Sequence, residues 1–137
     1  MRANDWQGLL LSVVRIVVAV LFACHGFQKL FGFFGGPGGH GGVAHFGTQP
    51  WFAGVIESTG GVLIGLGLLT RPAAFVVCGE MAVAFFQVHY PRGFWPIRNG
   101  GEDAVLYCFI FLYLMAAGPG PLSLDRALGR ERVIKRK

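Results

Sequence analysis

Several ionisable side chains sit within or at the edges of long apolar stretches of this 137-residue chain: Arg15, His25, Lys29, Glu57, Glu80, His89 and Glu102. A charge at the centre of a spanning helix costs about 3 kcal/mol on insertion scales, so each such group is expected to face inward and to find a partner. His25 and Lys29 are spaced i,i+4, and at about 100° per residue they share one face of the first stretch with Arg15. With a rise of about 1.5 Å per residue, Arg15 lies roughly 10 Å, and Glu80 roughly 12 Å, from the inner ends of their helices. This predicts a buried Arg15–Glu80 ion pair, structural rather than catalytic, in which losing one partner strands the other.

Glu57 falls about 9 Å below the outer end of its stretch, close to the level of His25. His89 closes the third stretch, Glu102 opens the fourth, and Gln87 shares the face of Glu80. His25, Lys29, Glu57, His89 and Glu102 therefore form a candidate outer polar pocket with aromatic walls. A Lys–Glu pair beside a histidine can bind an anion, or grip a quinone carbonyl and pass protons to it. The same pair can be purely structural, with Lys29 reaching toward the interface and neutralising Glu57. Both readings stay open, and no residue is assigned as catalytic. Haem held by His25 and His89 is disfavoured, because only these two histidines lie in apolar stretches and there is no CxxCH motif. His40 and His45 stand in a glycine-rich loop and read as solvated side chains, so no metal site is expected.

The elements that must position these groups are apolar helices. Hydrophobic residues make up 53% of the chain and charged residues only 14%, against about a quarter charged in soluble domains. Crossing about 30 Å of hydrocarbon takes about 20 residues, and four segments approach that length: roughly 8–30, 51–69, 72–90 and 102–117. Gly35-Gly36-Pro37-Gly38-Gly39 marks a glycine-rich outer loop over 33–50, and Arg71-Pro72 makes a tight turn. Pro91-Arg92-Gly93 to Asn99-Gly100-Gly101 forms a second polar loop, and Gly118-Pro119-Gly120-Pro121 stops the fourth helix. The expectation is an all-α integral membrane protein, a four-transmembrane-helix bundle over 1–125 followed by a basic tail over 126–137. Gly61-x-x-x-Gly65 suits close helix packing, inside the bundle in preference to a dimer interface.

Four spans put both termini on one side. That side receives Arg2, Arg71, Arg126, Arg130, Arg132, Lys135, Arg136 and Lys137, while the other receives Arg92 and Arg98. The positive-inside rule places both termini in the cytoplasm. The tail then reads as an anchor to anionic lipid, not as a nucleic-acid module. Cys24, Cys78 and Cys108 lie in apolar runs without CxxC spacing and read as small hydrophobes, a Cys24–Cys108 redox pair being the weaker alternative. Leu21-Phe22-Ala23-Cys24 loosely resembles a lipoprotein cleavage site, but Arg15 interrupts the apolar run and Phe22 fits poorly, so the segment reads as a retained helix.

In order and spacing these features resemble the DoxX family of four-helix bacterial and archaeal membrane proteins. The matching pieces are Arg15 with Gly26-x-x-Lys29, Glu57-x-x-Gly60-Gly61, Gly65-Leu66-Gly67-Leu68-Leu69-Thr70-Arg71-Pro72-Ala73-Ala74 and Met81-x-x-Ala84. Asn99-Gly100-Gly101-Glu102 and Gly118-Pro119-Gly120-x-x-Ser123-x-Asp125 complete the set, and the loop 35–47 looks like an insertion. The resemblance implies a multi-pass protein of the bacterial inner membrane in a redox setting, since relatives occur in a thiosulfate:quinone oxidoreductase and beside superoxide dismutase and a sulfurtransferase. The leading expectation is an accessory subunit of a respiratory or quinone-linked complex, with the lipid bilayer and other membrane subunits as partners, no cofactor assigned, and quinone the candidate ligand beside pigment or lipid. A docking subunit without chemistry is the alternative. Transport of a small solute ranks third, because the helices carry no inverted repeat.

Overall fold

A computed structural model describes residues 3–130, and within them the chain is helix and loop. Four long helices are α1 (Ala3–Phe31), α2 (Gln49–Leu66), α3 (Thr70–Ala84) and, after the short turn α4 (Pro96–Asn99), α5 (Glu102–Ala117); α6 (Leu124–Ala127) is one turn. A π-helical turn, Phe85–His89, prolongs α3. Two segments, Asp5–Phe31 and Thr70–Arg92, are long and apolar enough to cross a membrane by length and composition. The 33–50 loop contains two 3-10 turns, tied by Gly41 N–H donating to the Gly35 carbonyl and Ala44 N–H to the Lys29 carbonyl, both at 2.7 Å.

Small residues decide which helices pair. A methyl added at Gly26 would lie 2.4 Å from the Ser58 nitrogen, and one at Gly61 would lie 2.7 Å from the Ala23 Cβ. Gly65 faces Ala19 at 3.6 Å by the same measure, so both glycines of the Gly61-x-x-x-Gly65 pair turn toward α1 within the bundle. α1 thus packs closely on α2 and α3 on α5, with α2 and α3 meeting less extensively. α1 and α5 face each other through rings: the Phe22 centroid is 5.2 Å from that of Tyr107 and 4.7 Å from that of Phe111. Phe22, Ile64, Val77, Phe111 and Leu114 form the buried centre, while Leu10, Val17, Val20, Phe75 and Phe109 point outward, as suits a bundle solvated by lipid.

The segment after α5 folds back across one end of the bundle, and Arg15 is its anchor. Arg15 Nη2 donates to the Leu122 carbonyl at 2.6 Å, and Leu122 N–H donates to Ser12 Oγ at 3.2 Å. α2 ends at Gly67 (φ 68°) with Gly67 N–H on the Ile64 carbonyl and Leu68 N–H on the Leu63 carbonyl, the two bonds of a Schellman stop. A Cβ on Gly67 would fall 1.9 Å from Arg15 Nη1, so the turn needs glycine for its left-handed backbone and for space. The buried Asp125 carboxylate accepts from the N–H groups of Leu69 (2.9 Å) and Thr70 (3.0 Å), opening α3 and holding Leu69 at φ 50°. Arg71 Nη1 donates to the Met115 and Ala116 carbonyls, left open where α5 stops.

This geometry corrects the expected Arg15–Glu80 pair. Depth along the helices was matched, but azimuth was not: α1 lies against α2, α3 lies against α5, and Arg15 runs under the α2–α3 turn to Leu122. The thiols are also arranged differently. Cys78 and Cys108 approach to 3.7 Å between Sγ atoms across α3 and α5, in place of Cys24 with Cys108, and all three are free. Of the basic tail, Arg126 and Arg130 are described; Arg2, Arg132, Lys135, Arg136 and Lys137 lie outside the described residues.

Candidate functional site

A cavity of about 650 Å³ lies between α2 and α3 with α1 and α5 behind it. Its polar floor begins with Lys29 Nζ, which contacts Glu57 Oε1 at 2.5 Å. Gly54 eases this: a Cβ there would sit 3.0 Å from the Lys29 Cβ, so a side chain at that position would crowd the lysine stem where it passes over α2. Glu57 is 2% exposed, and its Oε2, like the Oε2 of Glu80, is buried without a hydrogen-bond partner among the described residues. His25 lines the same space, its ring edge-on to Tyr107 at 6.0 Å.

The outer rim is built by the π turn and the second polar loop. The extra residue of the π turn brings His89 to the cavity, where it stacks on Phe85. His89 Nδ1 lies 3.3 Å from the Asn99 carbonyl. Asn99 is buried and braces the loop, donating to the Gly93 carbonyl at 2.7 Å and accepting from Gly101 N–H at 2.8 Å. Gln49 Nε2 donates to Gln87 Oε1, linking α2 to the π turn at the mouth. Below this link Phe52, Val76, Val83 and Val88 line the cavity yet remain exposed on the outer surface. The cavity therefore opens sideways between α2 and α3 through apolar walls and ends on charged groups.

Of the five residues expected in a pocket, the structure brings His25, Lys29, Glu57 and His89 together. Glu102 is not among them: it is exposed in the first turn of α5, and Asp103, about 100° further round, faces the cavity. Sequence reasoning also missed Glu80 and Tyr107 here. Glu80 shares a helix face with Ala84 and Gln87, a spacing that signals an inward polar face, but which neighbour it meets depends on how the helices pair. His40 and His45 are exposed in the loop.

Fold and cavity define a class: an all-α protein of the membrane whose bundle holds a polar-floored pocket open at its side. The family model DoxX matches residues 10–90, and the chain belongs to the DoxX family. It is 45% identical over 126 residues to an uncharacterized protein of Haemophilus influenzae, covering 89% of this chain and 92% of that one. It is 31% identical to the inner membrane protein YphA of Escherichia coli (86% and 89% covered) and 30% identical to an uncharacterized membrane protein of Mycobacterium tuberculosis (85% and 80%). No solved structure matches the chain. It is a multi-pass protein of the bacterial inner membrane.

Proposed function

We propose that the chain spans the membrane four times with both termini cytoplasmic and serves as an accessory subunit of a redox complex, holding a quinone in the side-opening cavity. The observation that carries this reading is the part-buried Lys29–Glu57 pair on the floor of that cavity. Lys29 Nζ has three donor hydrogens and spends one on Glu57, so it and His25 supply donors for a ring carbonyl. Glu57 is then the charge partner and proton acceptor, and the apolar gap between α2 and α3 leaves an isoprenoid tail its way into the bilayer. The volume lies within the range of about 300–1,000 Å³ usual for small-molecule sites. The redox setting rests on the resemblance to DoxX members of quinone-linked assemblies. Orientation is supported by Arg71, Arg126 and Arg130 gathering at the end opposite Arg92 and Arg98.

Quinone extracted from the purified protein tests the reading. Wild type is expected to carry it, and Lys29→Ala and Glu57→Gln to lose most of it; unchanged content in both variants would sink the proposal. A second reading, a docking subunit without chemistry, draws on the same ion pair as a clasp between α1 and α2. It predicts that these variants change the amount of assembled complex and leave its turnover per complex alone.

A further inference from the structure

The cavity is lined by more carboxyl groups than cationic side chains. Glu57, Glu80 and Asp103 line it against the single ammonium of Lys29, and the 2.5 Å contact assigns that ammonium to Glu57. Arg15, the cation sequence reasoning would have given to Glu80, is turned to the far end of the bundle. The Oε2 of Glu80 is left buried and unpartnered among the described residues, and the almost fully buried Glu57 keeps a second oxygen open in the same way. A carboxylate in an apolar surround is stabilised by a proton or by a positive ligand, and here there is room for the ligand.

We infer that this cavity binds amphiphilic organic cations, with Glu80 receiving the charged head. The unmet groups are acceptors, so the head that satisfies them is a hydrogen-bond donor such as an alkylammonium. Phe22 and Tyr107 add ring surfaces that favour a cation near the floor. The apolar walls of Phe52, Val76 and Val83, exposed to the outer surface, fit a body that arrives dissolved in the bilayer. The inference goes beyond the quinone reading, which makes no use of Glu80.

The test is calorimetric titration of the full chain in phosphatidylcholine nanodiscs with octylammonium, 1-octanol and octanoate, which share one tail and differ in the charge of the head. Saturable octylammonium binding is expected, roughly tenfold or more tighter than either of the others. Glu80→Gln should weaken it by about tenfold, Glu80→Asp should retain most of it, and Lys29→Gln should tighten it. If Glu80→Gln unfolds, the Asp and Lys29 variants decide. Octylammonium binding no tighter than octanol, or binding indifferent to these substitutions, would overturn the inference. Quinone content measured on the same preparations separates the two ideas: quinone bound without cation binding defeats this inference alone, and cation binding without quinone defeats the quinone reading alone.

Discussion

Lys29 and Glu57 come from stretches 28 positions apart and meet in a place where neither is stable alone. Removing one partner leaves a charge facing an apolar wall, whereas removing both leaves none, so the single and double changes should differ in size. Lys29→Met is expected to cost about 2–3 kcal/mol, below the usual range for buried pairs because Lys29 keeps 27% of its side chain exposed. The double variant Lys29→Met/Glu57→Leu should recover most of that loss. Thermal unfolding in detergent, followed by circular dichroism, of wild type, Lys29→Met, Glu57→Leu and the double variant closes a double-mutant cycle. A double variant as unstable as the sum of its singles would mean that the two charges do not act on each other.

At the scale of elements, two devices hold the site in shape. Close contact of α1 with α2 through Gly26, Ala23, Ser58 and Gly61 sets Lys29 over Glu57. Gly61→Leu should force the pair apart, costing about 1–3 kcal/mol and lowering any ligand held by the cavity. The other device is the returning segment, whose Asp125 carboxylate opens α3 from 55 residues away. Each of its two bonds to an amide is worth about 1.5–3 kcal/mol, so Asp125→Ala should destabilise the protein by about 3 kcal/mol. Limited proteolysis should then cut near 118–130 while ligand content per folded molecule stays as in wild type, because the cavity lies toward the other end of the bundle. Loss of ligand without loss of stability would contradict this division of labour.

For the whole molecule, the proposed topology puts the glycine-rich loop outside and the returning segment inside. In a variant whose three cysteines are serine, Gly39→Cys should react with a membrane-impermeant maleimide on spheroplasts. Ala127→Cys should react only after the membrane is opened. The reverse pattern would invert the orientation, and labelling of both from one side without opening would refute it. In both ligand proposals the side-opening cavity takes its ligand from the bilayer and not from the aqueous phase, which is why apolar bodies recur in them.

Much of this was legible in the chain itself, because apolar length, glycine and proline breaks, and the cost of a charge in hydrocarbon are local properties. They were enough for an all-helical membrane protein, for the breaks near Arg71-Pro72 and Gly118-Pro119, and for the candidates His25, Lys29, Glu57 and His89. The helices came out with shifted bounds, α2 running Gln49–Leu66 where 51–69 was expected, since the Schellman turn at Gly67 stops it early. What the sequence could not decide was which helix faces which. Depth follows from counting residues, but neighbourhood depends on the small residues of one helix meeting those of another. Tertiary packing therefore sent Arg15 to Leu122, turned Glu80 into the cavity, let the π turn deliver His89, and exchanged Glu102 for Asp103. Of the charged residues singled out at the start, Arg15, His25, Lys29, Glu57, Glu80 and His89 turn inward while Glu102 stays exposed, and the partners they meet were a property of the packed bundle.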